Sequence, residues 1–179
     1  MDIKLKRMKL PEGKEVFDTH MVRDFPADEI KPWEIMEKLC LEGCYDMLAA
    51  ELNGEMVGYA WQFRPGGEVV LIDYLAVFPE YRGSGIGSGI LRALTEYYRE
   101  KLILESEFPQ EAPDPAMAQR RLGFYNRAGF EMTGVQVRLF GVRFHILAHG
   151  GDQNAKDHMR QIYEAMLSPE RMNTAVEFL

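Results

Sequence analysis

From Gly83 to Gly89 the chain places a glycine at every second position, reading RGSGIGSG from Arg82, and its flanks leave little freedom in how this stretch folds. Val69 to Val77 is almost unbroken apolar, partly β-branched, and too short for a helix of its own, so a buried strand is expected. Phe78-Pro79-Glu80-Tyr81 ends it. Beyond the glycines, Ile86, Ile90, Leu91, Leu94, Tyr98 and Leu102 recur at the spacing of one helix face. The order is strand, glycine turn, amphipathic helix.

Gly87 and Gly89 lie inside the helical pattern, where each costs about 0.5–1 kcal/mol relative to alanine. Several such costs together suggest a backbone that something must approach closely. The first N–H groups of a helix have no partner within it, and the macrodipole adds partial positive charge there. Bare backbone around those groups, with Arg82 beside it, suits a phosphate or diphosphate. A turn that only packs the helix tightly on its strand would use glycine as well.

Spacing separates three phosphate-binding patterns. A P-loop ends in Gly-Lys-Ser/Thr, and no lysine stands between Glu80 and Glu100. The dinucleotide pattern G-x-G-x-x-G fails at Ser88 when started from Gly83 and at Ile90 when started from Gly85, although Glu105 stands twenty residues after Gly85. The pattern R/Q-x-x-G-x-G/A is met at Arg82, Gly85 and Gly87. With the preceding Leu75-Ala76-Val77-Phe78-Pro79-Glu80-Tyr81, it resembles the acyl-CoA-binding motif of the GNAT acetyltransferase superfamily. Leu122-Gly123-Phe124-Tyr125-Asn126-Arg127-Ala128-Gly129-Phe130 is similar to the second recurrent stretch of that family. The resemblance covers residues 3 to 149.

The rest of the chain reads in order. Ile3 to Leu10 alternates weakly, as an edge strand does. Residues 13 to 24 and 32 to 41 read as helices, the second with Pro32 at its first position and Trp33, Met36, Leu39 and Cys40 on one face. Asp46–Leu52 and Glu55–Phe63 flank Asn53-Gly54, a strong hairpin signal. Leu102–Glu107 is the next strand, with Ile103, Glu105 and Glu107 on one side. Met117–Ala128 is a helix closed by Gly129. Phe130–Leu139 and Val142–His149 form a last hairpin. Asn154–Leu167 is an amphipathic helix, and Ser168-Pro169-Glu170 caps a short one carrying Met172, Ala175, Val176 and Leu179.

An antiparallel meander followed by a crossover makes the fold class α/β with a mixed sheet. The resemblance implies a GNAT-like fold: a mostly antiparallel sheet of six to seven strands, splayed between the fourth and fifth and flanked by helices. Residues 1–149 are expected to form that domain, and 150–179 a helical extension packed on it, covering an apolar patch or making a homodimer contact.

Composition narrows the partners. A net charge of −7 argues against nucleic acid and against an anionic membrane surface. No apolar stretch follows the basic residues of the first ten, so a leader is not expected, and no segment approaches the ~20 apolar residues of a membrane span. Cys40 and Cys44 are too few for a disulfide framework, which fits a reducing cytoplasm. With no histidine pair nearby they do not suggest a metal site. His20, His145, His149 and His158 are scattered over separate elements.

What the resemblance implies for the site follows residue by residue. The diphosphate of acetyl-CoA would sit on the amides of Arg82, Gly83, Ser84, Gly85, Ile86, Gly87 and Ser88. The pantetheine arm would run beside Leu75, Ala76 and Val77, and the N–H of Val77 would face the thioester carbonyl. Tyr125 would protonate the departing thiolate. One departure is Glu107-Phe108-Pro109, which stands where many members have an asparagine that holds the cofactor.

Glu105 and Glu107 share a strand face beside that slot, and two neighbouring carboxylates raise the affinity of one for a proton. Glu105 is therefore the candidate base, with Glu107 as its orienter or as a contact for the substrate ammonium. Glu111 and Asp114 add acid near the same mouth and favour a cationic small-molecule amine. Two other functions compete: an acyl-CoA-binding regulatory or scaffold domain without turnover, and an acetylase directed at aminoacyl-tRNA. The acidic balance disfavours the second.

Overall fold

The computed structural model describes residues 2–27 and 29–179. Its strands are β1 (Lys4–Arg7), β2 (Tyr45–Leu52), β3 (Glu55–Phe63), β4 (Val69–Val77), β5 (Lys101–Glu107), β6 (Phe130–Leu139), β7 (Val142–His149) and β8 (Val176–Phe178). They form one mixed sheet in the order β1-β2-β3-β4-β5-β7-β6-β8. The helices are α1 (Leu10–Val16), α2 (Val22–Asp24), α3 (Trp33–Leu41), α4 (Ile86–Tyr97), α5 (Pro115–Arg127), α6 (Ala155–Met166) and α7 (Pro169–Ala175), with a π-helical turn over Phe17–Met21.

The chain divides into two compact units that share β4. The first runs to Arg64 and resumes over Asp73–Tyr97. Its hairpin turns where expected: Asn53 and Gly54 adopt φ of 53° and 86°, the left-handed pair that a two-residue loop requires. Its core gathers Met21, Met36, Leu48, Tyr59, Trp61, Ile90 and Leu91, all buried. Helix α4 buries Ile86, Gly89, Ile90, Leu91 and Leu94, the apolar stripe read from its spacing.

The second unit is Pro65–Ile72 with Tyr98–Leu179, and so includes residues 150–179. Here β4 pairs in parallel with β5 over Val69–Leu71 against Lys101–Ile103. Strand β5 pairs antiparallel with β7, setting Glu105 opposite Ile146 and Glu107 opposite Phe144. Phe130, Ile103, Leu147, Met159, Ile162 and Tyr163 fill this core.

Several boundaries differ from the sequence reading: Pro32 is the N-cap of α3 rather than its first residue, α5 opens at Pro115, and three larger differences follow. The first strand stops at Arg7, and Leu10 opens α1, which continues through the π turn into α2. Helix α4 ends at Tyr97, so Leu102 belongs to β5 rather than to the helix face. Val176–Phe178 leave the last helix as β8, the eighth strand, and pair with Val137–Leu139 of β6. A strand edge that needs hydrogen-bond partners decides the matter, because valine and phenylalanine suit a pleated surface better than a frayed helix end. Among the described residues no helix is long and apolar enough to cross a membrane.

Candidate active site

In the first unit, β4 delivers the chain into the glycine turn. Gly83 and Gly85 sit at φ of 79° and 84°, a region in which an L side chain is strained. A Cβ at either would meet nothing within 4 Å, so conformation rather than space requires glycine there. Gly85 closes the turn, its carbonyl accepting the Gly89 amide at 3.1 Å.

The amides of Gly83, Ser84, Gly85, Ile86, Gly87 and Ser88 donate no hydrogen bond of ordinary geometry to the protein's own acceptors. The Arg82 amide differs: it donates to the Pro79 carbonyl at 3.3 Å. What Arg82 offers the turn is its side chain. Nε donates to the Val77 carbonyl at 2.9 Å, and Nη2 reaches Asp24 Oδ1 at 3.0 Å. Tyr59 donates to the other Asp24 oxygen at 3.0 Å, and burial first, then the Asp24 charge, pushes the Tyr59 phenol far above its usual range.

The end of β4 is polarised in the same way. Phe78 N–H donates to Val57 O of β3 at 3.0 Å. Amides alternate in direction along a strand, so the Val77 N–H points away from β3. Gly58 lets β3 come close at this point, since a Cβ there would lie 2.3 Å from Ala76 O. Leu75 and Val77 are half-buried and Ala76 is buried.

Beside Phe78, still within the first unit, lies a cleft of about 380 Å³. Glu12, Glu15 and Glu51 line it with Lys6, over apolar side chains that include Met8 and Met56. Glu12 accepts the Lys9 amide at 2.7 Å, and Lys6 stands 3.8 Å from Glu51. The His20 ring stacks on Phe78 at 4.0 Å.

The second unit carries the carboxylates and Tyr125. Glu105 is half-buried and accepts a hydrogen bond from the Tyr163 hydroxyl of α6. Glu107 pairs with Arg121 of α5 at 3.1 Å. The two acids expected to act on each other thus each have a protein partner. Tyr125 is half-buried, its ring edge-on to Phe130 at 6.3 Å. Burial raises its phenol above the usual range and the Arg121 charge opposes the shift, so the hydroxyl keeps its proton at neutral pH.

The loop after β5 is fastened down. Phe108 N–H donates to Arg143 O at 2.9 Å, and the Arg143 guanidinium lies 4.0 Å over the Phe108 ring. Glu111 bridges Arg143 and Arg138 at 3.0 and 3.3 Å, and those bonds hold its carboxyl below the usual range. Asp114 caps α5 by accepting the Met117 amide at 2.9 Å. Glu111 and Asp114, which the sequence suggested as acid for a cationic substrate, therefore hold the loop and the helix start. The acids lining the first-unit cleft carry no shared sequence signal, because they come from α1 and β2.

Comparison with known proteins bears on these features. Residues 13–130 match the model of the acetyltransferase (GNAT) family. A Bacteroides thetaiotaomicron structure assigned to the GNAT family is similar at 20% identity and a TM-score of 0.74, over 90% of this chain and 94% of that one. AAC(6')-Ib, solved with ribostamycin and coenzyme A, is similar at 21% identity and a TM-score of 0.62, over 89% and 98%. A spermidine N-acetyltransferase chimera from Vibrio cholerae and hSSAT is similar at 14% identity and a TM-score of 0.60, over 83% and 95%.

Proposed function

Because the chain belongs to the acetyltransferase (GNAT) family, we propose that it transfers an acetyl group from acetyl-CoA to the amine of a small, cationic molecule by direct attack. The observation that carries this reading is the run of amides from Gly83 to Ser88, leading into α4, that make no hydrogen bond of ordinary geometry to the protein. Such a run, on a helix N-terminus, is the chemistry a diphosphate needs.

Bound acetyl-CoA supplies an acetyl group activated as a thioester. The chain's residues do the rest. The amides of Gly83–Ser88 would hold the diphosphate, with Arg82 bracing the turn. The edge of Leu75, Ala76 and Val77 takes the pantetheine arm as a strand would. The Val77 N–H would face the carbonyl oxygen of a thioester bound there, and a fixed donor at that point favours the transition state over the ground state. Tyr125, protonated at neutral pH, would give its proton to the departing sulfur.

An ammonium of pKa ~10.4 costs roughly 4–5 kcal/mol to deprotonate at pH 7, and a positioned base gives ~10²–10⁴-fold. We assign that role to Glu105, directly or through water, with Glu107 orienting. The cationic acceptor rests on the net charge of −7 and on the acid-lined cleft beside Phe78, whose volume of about 380 Å³ falls in the range of small-ligand sites.

The engagement of Glu107 by Arg121 favours a second reading, acyl-CoA binding without turnover. Calorimetry with acetyl-CoA followed by a thiol-release assay over an amine panel separates the two. Binding with turnover supports the transferase, and binding with thiol release no faster than buffer supports the second reading. No binding at roughly 1 mM would remove both. Glu105→Gln is expected to lower turnover more at pH 6.5 than at pH 9, where the amine deprotonates unaided; equal losses would make Glu105 structural.

A further inference from the structure

Helix α6 lies beyond residue 130, where the family match ends, yet one of its side chains reaches the proposed base. Ala155, Met159, Ile162 and Tyr163 are its buried face. Its position is pinned at two points along its length. Near the start, His158 Nδ1 meets Asp152 Oδ2 at 2.7 Å; further on, Gln161 Nε2 donates to Gly66 O at 3.0 Å. Tyr163 is 1% exposed and packs on Phe178 of β8 at 6.2 Å between ring centres. So confined, its hydroxyl has one orientation to offer, and it donates to Glu105 Oε1.

From this geometry we infer that Tyr163 is a positioning residue for Glu105, so that the segment after residue 149 completes the acetyl-transfer site within the same chain. The inference rests on Glu105 being the base. A buried phenol must find an acceptor, and any backbone carbonyl would serve. Here the acceptor is a carboxylate two positions along the strand from Glu107, which has its own partner in Arg121.

The bond has two effects. It fixes the plane of the carboxylate, which a proton acceptor needs in order to meet its substrate in one geometry. It also favours the charged form, since a hydrogen bond to a carboxylate stabilises the anion over the acid. The phenol cannot compete for the proton: burial first, and the Glu105 charge second, hold it well above the usual tyrosine range. Tyr163 stays a donor across the working pH.

The test follows the Glu105 carboxyl itself by ¹³C NMR titration in full-length protein, beside the pH profile of kcat/KM. Tyr163→Phe is expected to move the carboxyl titration and the acid limb of the profile upward together, by about one pH unit. In a Glu105→Gln background it should change kcat/KM no further. Replacing Tyr163 with 3-fluorotyrosine keeps the ring and makes the hydroxyl a stronger donor, so it should move both readouts the other way even if the phenylalanine variant folds poorly. An unmoved titration, with Glu105→Gln still impaired, would overturn the role of Tyr163 and leave Glu105 as base. Full turnover in Glu105→Gln would overturn the base reading and this inference with it.

Discussion

Arg82 Nε donates to the carbonyl of Val77 at 2.9 Å, so the end of β4 and the turn after it are joined through a side chain. The same guanidinium reaches Asp24 at 3.0 Å, which leaves the turn's later amides for another acceptor. A strand end, a helical segment and a glycine turn are thus held by one planar fork, and that matters for any ligand seated on the amides.

Arg82→Lys keeps the charge and loses the fork, because an ammonium cannot make both bonds in that geometry. Since Arg82 is 56% exposed, the ion pair with Asp24 adds little to stability. Acetyl-CoA affinity by calorimetry should weaken about tenfold, the ~1.4 kcal/mol of one charge-assisted bond, while the melting temperature stays nearly unchanged. A variant that binds as wild type does would show that the turn needs no brace.

Gly58→Ala examines the strand before the turn. The new Cβ would stand 2.3 Å from Ala76 O and 3.1 Å from Val77 Cα, both backbone, so no side chain can swing aside. Overpacking of this kind costs about 1–3 kcal/mol, read as a lower urea midpoint with an unchanged slope. Because the displaced atoms carry the Val77 amide, turnover should fall more than the loss of stability alone explains. Gly85→Ala is the contrasting case, with no steric neighbour and a cost of about 1–2 kcal/mol from its φ of 84°.

Much of this is legible in the amino-acid sequence alone. Buried strands announce themselves by apolar runs, and β4, β6 and β7 match their sequence bounds because Pro, Gly and charge stop them sharply. Val176–Phe178 did not, since three residues show no period and only the β6 edge makes them a strand. The glycine turn was readable because left-handed φ selects a residue type. The direction of the Tyr163 hydroxyl was not, because tyrosine on an apolar stripe looks like core wherever its oxygen points. Glu111 misled for a similar reason: its arginine partners lie 27 and 32 residues further along the chain.

Tyr125→Phe removes the proposed proton donor and leaves the ring packed on Phe130. With the hydroxyl protonated at neutral pH, its contribution belongs to the chemical step rather than to binding. kcat should fall about 10–100-fold with the KM for acetyl-CoA within about twofold, measured by thiol release at saturating amine. A matching rise in KM with kcat unchanged would place Tyr125 in coenzyme binding instead.

The loop after β5 should loosen in acid, and Glu111 is one cause. Arg143 first, then Arg138, hold its carboxyl below the usual range, so in mild acid the unfolded chain binds more protons here than the folded one. The stability from this group is complete above the ordinary carboxylate pKa of about 4.3 and is lost as pH falls through the folded value. His145, ring to ring with Phe108 at 4.7 Å, acts in the same direction at higher pH. Burial, helped by Arg143, holds its pKa below 6.5, so the unfolded imidazole protonates first as the pH drops past that value. Urea midpoints should therefore decline in two stages, below about pH 6.5 and again below about pH 4.5. His145→Asn should flatten the first stage and Glu111→Gln the second, each without changing the other. If neither variant alters its stage, these two groups do not govern the acid response, and other carboxylates in the fold must carry it.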